Sequence, residues 1–94
     1  MIANDKLKEN KYEGMISLEK KYRIILYLHS DEIHLHSKQK NLDFIIPKQH
    51  LAYIEKIKKK LIIKTHNGAK FKIGHFKDEV FDEIEATIQE KYFD

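Results

Sequence analysis

Apolar and polar residues alternate with a period of two through most of this chain, in about six short runs. From residue 78 onward the period changes to that of a helix. In residues 12–18, Tyr12, Gly14, Ile16 and Leu18 share one side and Glu13, Met15 and Ser17 the other, which predicts a strand with a bend or bulge at Gly14. A polar turn, Glu19-Lys20-Lys21, follows. Residues 23–28 and 33–36 predict a hairpin around His29-Ser30-Asp31-Glu32. In that hairpin Leu28 faces Ile33 and Leu26 faces Leu35 on the buried side, and Tyr27, His34 and His36 share the other. After a lysine-rich loop at 37–41, residues 42–46 form a short strand stopped by Pro47, which has no N–H to donate to a ladder.

Residues 48–60 admit two readings. Pro47 can open a helix whose stripe is Leu51, Ile54 and Leu61. Alternatively a turn leads into a strand near 52–57, and the hairpin that follows favours this second reading. That hairpin joins 61–65 to 69–73 around Asn67-Gly68. A two-residue loop would pair Lys64 with Phe71 and bury a lysine. A three-residue loop, His66-Asn67-Gly68, with Gly68 left-handed, pairs Ile63 with Phe71 and Leu61 with Ile73. The longer loop is predicted, with the apolar residues on one face and Lys64, Lys70 and Lys72 outside. A helix over 78–92 carries the stripe Val80, Phe81, Ile84, Ile88 and Tyr92. Asp78, Glu79, Asp82 and Glu83 lie in its first turns, where the dipole favours negative charge. Phe76 is placed to staple against Phe81 if Lys77 caps the helix.

Strands in series followed by one amphipathic helix predict a mainly β domain. It would be a strongly bent antiparallel barrel of six to seven strands, closed by the C-terminal helix whose apolar stripe needs a partner. Ninety-four residues suffice for one such domain. It is assigned to residues 12–94, with strands over 12–76, behind a solvated leader or short helix at 1–11 anchored by Ile2 and Leu7. The absence of cysteine excludes disulfides and cysteine-based zinc sites. No apolar run approaches the length of a membrane span, and no signal-peptide h-region is present. A cytoplasmic domain is expected, or one attached peripherally to the inner face of a membrane.

Three stretches of this layout resemble the pleckstrin-homology-like (PH-like) domains, nearest the GRAM and bacterial PH families. Gly14-Met15-Ile16-Ser17-Leu18 followed by Arg23-Ile24-Ile25 is similar to the glycine-led first strand and arginine-led second strand of that family. Ile46-Pro47 with Leu51 and Ile54 resembles the entry to a later strand. Residues 61–65 with Asn67-Gly68, Phe71 and Ile73 resemble the hairpin before the closing helix. The resemblance implies a seven-stranded, orthogonally bent barrel with a helical cap. It also implies a binding or scaffolding role without catalysis. Here Glu19 stands where the family usually has threonine, and the first loop offers only Lys20, Lys21 and Arg23 for a phosphoinositide.

Charge is unevenly distributed. Residues 38–77 hold eleven lysines against Asp43 and Glu55, whereas 78–94 hold Lys91 against seven acids. Lys56, Lys58, Lys59, Lys60, Lys64, Lys70 and Lys72 are the candidate surface for an anionic partner. Lys64 and Lys70 face each other in the predicted hairpin, and like charges directly opposite are destabilising unless something anionic joins them. A protein or peptide partner, or self-association of the basic and acidic segments, is expected first. Anionic lipid and then nucleic acid are alternatives, the latter weakened by the few aromatics interleaved with the lysines. His34 and His36, two apart on one strand face, could supply two ligands for zinc or nickel, with a third from His50, His66 or His75. The pattern reads more simply as exposed polar positions, so no metal or other cofactor is expected. Ser17, Ser30 and Ser37 sit in no glycine elbow, and no catalytic set is expected.

Overall fold

A computed structural model describes residues 10–39 and 41–93. Its strands are β1 (Asn10–Ser17), β2 (Lys21–Leu28), β3 (Glu32–Ser37), β4 (Leu42–Pro47), β5 (Leu51–Ile57), β6 (Lys60–Thr65) and β7 (Lys70–Gly74). They form one antiparallel sheet in the order β4-β3-β2-β1-β7-β6-β5. Helix α1 (Asp78–Ile88) follows and widens into a π turn at Gln89–Phe93. Most of the expected leader lies outside the described residues, but Asn10 and Lys11 already belong to β1.

Strands β4 and β5 are consecutive in the chain yet stand at opposite edges of the sheet. Only the 3-10 turn Lys48–His50 joins them, so the reading of 48–60 as turn then strand holds. Three residues reach about 11 Å. Laid flat, the six inter-strand spacings of about 4.8 Å would hold the two edges about 29 Å apart. The sheet must therefore roll up until its edges face each other. The rings of Phe44 on β4 and Phe71 on β7 confirm the curl, with centroids 5.2 Å apart. Four flat spacings would separate those two strands by about 19 Å. The link is pinned at both ends. The Lys48 N–H donates to the Asp31 carbonyl (2.8 Å), and the His66 N–H donates to the His50 carbonyl (2.9 Å).

Both predicted hairpin registers are present: Leu28 pairs with Ile33 and Leu26 with Leu35, and Ile63 pairs with Phe71 and Leu61 with Ile73. Gly68 has φ +93°, the left-handed conformation that the three-residue loop requires. Two expectations about the first strand fail. Leu18, assigned to the buried face, is 43% exposed, because β1 ends at Ser17 and the chain has already turned. Gly14 marks no bulge, since the β1–β2 ladder runs through it in regular register opposite Ile24. Its role is close approach: a Cβ there would lie 2.6 Å from Cζ of Phe76 and 2.9 Å from the Gly74 carbonyl oxygen.

Helix α1 seals the rolled sheet. Lys77 is its N-cap residue, and the Phe76 and Phe81 rings meet edge to face at 6.2 Å, which is the predicted staple. Phe81, Ile84, Ile88 and Tyr92 are buried against a core that includes Ile16, Leu26, Ile33, Leu35, Leu61, Ile63 and Ile73. At about 1.5–3 kcal/mol per buried side chain, four such residues contribute about 6–12 kcal/mol. Before the entropy of ordering the helix is subtracted, that is the same order as the net stability of a typical domain, about 5–15 kcal/mol, so the helix supplies a substantial share of the burial that holds the sheet. Two tyrosines fix the helix in place. The Tyr12 hydroxyl of β1 donates to Glu83 (2.7 Å), and the Tyr92 hydroxyl reaches the carbonyls of His29 and Glu32 in the β2–β3 turn.

Gly14→Ala is expected to destabilise the domain by about 1–3 kcal/mol through overpacking. The melting temperature should fall by about 4–8 °C per kcal/mol. Phe76→Leu in the same chain should recover part of the loss, and an unchanged melt for Gly14→Ala alone would rule out the close approach. Burial raises the pKa of Tyr12, with the Glu83 hydrogen bond adding to it, and burial beside Asp31 and Glu32 raises that of Tyr92. Folding thus favours the neutral phenols. Their contribution is complete below the ordinary value of 10.0 and is lost as pH rises above it. Lys56 and Lys64 are shifted the same way, so the alkaline slope is shared. Urea unfolding between neutral and strongly alkaline pH should show a shallower decline for Tyr92→Phe than for wild type. Identical slopes would remove Tyr92 from this account.

Candidate functional site

Ile57 pairs with Lys60, so Lys58 and Lys59 alone make the turn between β5 and β6. Two-residue hairpin loops need a positive φ in the turn, usually supplied by glycine or asparagine. Here Lys58 adopts φ +57°. The tight turn and the first residue of β6 therefore place three consecutive lysines, Lys58, Lys59 and Lys60, at one corner of the sheet. Strand alternation then sorts the following residues. Leu61, Ile63, Phe71 and Ile73 lie on the core side, and Lys60, Ile62, Lys64, Lys70 and Lys72 lie outside. Ile62 is a correction to the expectation that all the apolar residues of this hairpin share the inner face. It is buried on the outer one, with Lys72 opposite it on β7 and Glu55 opposite it on β5.

Lys58, Lys59, Lys60, Lys70 and Lys72 surround an open groove of about 610 Å³ whose apolar lining is Ile57, Ile62 and Phe76. Ile62 and Phe76 are buried and Ile57 is 45% exposed. Lysine stems can cover such apolar surface while their ammonium groups stay in water. His75, with φ +63°, stands at the rim, its Nε2 3.5 Å from the Lys21 ammonium. Among the described residues, Lys58, Lys60, Lys70 and Lys72 have no carboxylate within ion-pair distance. Lys59 meets Asp78 at 3.6 Å, but both are largely exposed and such a pair contributes little.

The other two candidate lysines are placed differently. Lys56 turns to α1, where it contacts Asp82 (3.2 Å) and Glu85 (3.5 Å) and lies 5.3 Å over the Phe81 ring. The Asp82 hydrogen bond, aided by the charge of Glu85, holds its pKa above the usual lysine value. Lys64 shares the outer face but lies 5.2 Å over the Tyr53 ring, whose hydroxyl also raises its pKa. That contact gives Lys64 a partner of its own opposite Lys70. The groove's apolar residues were not among the sequence candidates. Ile62 could have been found as an apolar residue in the outward phase of a strand, whereas Phe76 is brought there only by the chain's passage to α1.

The histidines do not converge as one group. His50 lies in the 3-10 turn and His66 in the β6–β7 loop, while His34 and His36 stand on the outer face of β3. There His34 Nε2 and His36 Nδ1 both contact Oδ1 of Asp43 on β4, at 2.7 and 2.8 Å. The His34 hydrogen bond, then that of His36, lowers the pKa of the Asp43 carboxyl.

No family model matches the chain, and no curated protein matches it. Among solved structures, it is similar to the C-terminal domain of an unknown protein from Leishmania infantum, with a TM-score of 0.83 at 14% identity. That similarity covers 98% of this chain and 92% of the other, and at such low identity it shows the fold alone. Among the described residues no helix is long and apolar enough to cross a membrane.

Lys58→Gly isolates the strain of the lysine turn. Relief of the left-handed conformation is worth about 1–2 kcal/mol, and the added freedom of the unfolded chain offsets about 0.4–1 kcal/mol. A net gain of about 0.5–1 kcal/mol in chemical unfolding is expected from those two terms. A loss would show that the Lys58 side chain makes a stabilising contact of its own.

Proposed function

We propose that this domain is a non-catalytic, PH-like interaction module that docks an acidic, partly apolar segment of a partner protein in the lysine-rimmed groove. The observation that carries the reading is the groove itself: a cationic rim, four of whose lysines have no carboxylate in ion-pair range among the described residues, around an apolar lining. An acidic peptide with interspersed apolar side chains complements both features. The seven-strand order with its closing helix agrees with what the PH-like resemblance implies and supports a binding role.

Self-association through the acidic helix is less favoured. Asp78, Asp82 and Glu85 already face Lys59 and Lys56, and Glu83 accepts from Tyr12 within the same chain. Nucleic acid is disfavoured because Tyr53, the exposed aromatic beside the lysines, is covered by Lys64. Anionic lipid at a membrane face would use the same lysines but leaves the concave apolar lining without a role.

A fluorescently labelled Glu/Leu-rich peptide is the direct probe. Parallel titrations would use phosphatidylserine-containing vesicles and single- and double-stranded oligonucleotides. The peptide is expected to bind, with affinity falling as salt rises. Lys70→Glu with Lys72→Glu should weaken it by at least about tenfold, because two attractive rim charges become repulsive. Binding of vesicles or oligonucleotides alone would overturn the assignment of the partner. Peptide binding unaffected by the double substitution would overturn the groove as the site.

A further inference from the structure

Strand β3 places His34 and His36 on one face, two residues apart, and the β3–β4 register sets Asp43 directly opposite His36. The ligating atoms of the three side chains all lie within 4.8 Å of one another. We propose that His34 Nε2, His36 Nδ1 and the Asp43 carboxylate form a binding site for a divalent transition-metal ion of the zinc class.

Three observations support it. The donor set is two imidazoles and one carboxylate, which suits zinc, nickel or copper and not calcium or magnesium. The geometry is close to what an ion requires. Ligand atoms about 2.0–2.1 Å from a tetrahedral metal stand about 3.3 Å apart. The Asp43 oxygen now lies 2.7 and 2.8 Å from the two imidazole nitrogens, so each of these two separations has to lengthen by about 0.5 Å, and the two nitrogens lie within 4.8 Å of each other. The three side chains also help line an open hollow of about 430 Å³ with Tyr27 and His29, which leaves further coordination positions to water. All three are partly exposed and accessible to an ion from solvent.

The surroundings position the ligands. Tyr27, opposite His34 on β2, stacks against its ring at 5.5 Å. His29 stands 6.4 Å from His34, centroid to centroid, and does not join the ligating group. Metal entry replaces the two contacts to Asp43 with metal bonds. Each imidazole then presents a lone pair at the contacting nitrogen and carries its proton on the other one. No oxidation or reduction is involved. This site lies on the β2-β3-β4 half of the sheet, and its ligands are separate from the residues that line the lysine groove.

The test uses tag-free full-length protein and Zn²⁺ itself, titrated by calorimetry and in competition with a chromophoric chelator. One ion per chain is expected. Asp43→Asn should weaken binding by at least about tenfold, as losing a ligand costs no less than losing its hydrogen-bonded support. His36→Gln should abolish specific binding, and His50→Gln with His66→Gln should leave it unchanged. In the wild-type protein, Zn²⁺ should shift the NMR ring resonances of His34 and His36 before those of the other histidines, a readout that needs no variant to fold. Absence of saturable binding would overturn the site. So would wild-type affinity in His36→Gln, or first shifts at His50, His66 or His75.

Discussion

The three-residue link between the two edge strands is the constraint on which the rest of this structure depends. Lys48–His50 can only join β4 to β5 if the sheet curls through its whole width. Once curled, its two halves face each other and their inward side chains form one core. Phe44 and Phe71 touch across that interior although three strands lie between theirs in the ladder. The hydrogen bonds from Lys48 to Asp31 and from His66 to His50 hold the corner where three connections meet.

A rolled sheet still needs closing, and α1 provides the closure. Its apolar stripe contributes about as much burial free energy as a small domain has net stability. Phe76 links the two systems. It staples the start of α1 through Phe81 and packs against the bare backbone at Gly14, so helix entry and sheet packing are set by one ring. At the far end Tyr92 ties the helix to the β2–β3 turn, next to the corner that makes the fold possible.

Docking of the helix also decides which lysines remain available. Lys56 and Lys59 meet acids of α1, and Lys64 lies on Tyr53. The uneven charge evident along the chain thus becomes partly an internal contact and partly an exposed rim. The four lysines that meet no carboxylate among the described residues collect around Ile57, Ile62 and Phe76, where the field of the rim and an apolar surface coincide.

Strand positions, both hairpin registers, the left-handed glycine at 68 and the capped helix were legible in the sequence. Each is fixed by interactions among near neighbours: alternation, turn chemistry and helical period. The lysine cluster was legible as composition, but its division into groove, helix contact and aromatic contact was not. The role of Gly14, the exposure of Leu18, the outward burial of Ile62 and the meeting of Asp43 with His34 and His36 were also decided in three dimensions. These depend on how far the sheet curls, where β1 ends, and which strands that curl and the loop lengths bring side by side. Local periodicity specifies which face a residue occupies, and only the closed tertiary structure specifies what that face meets.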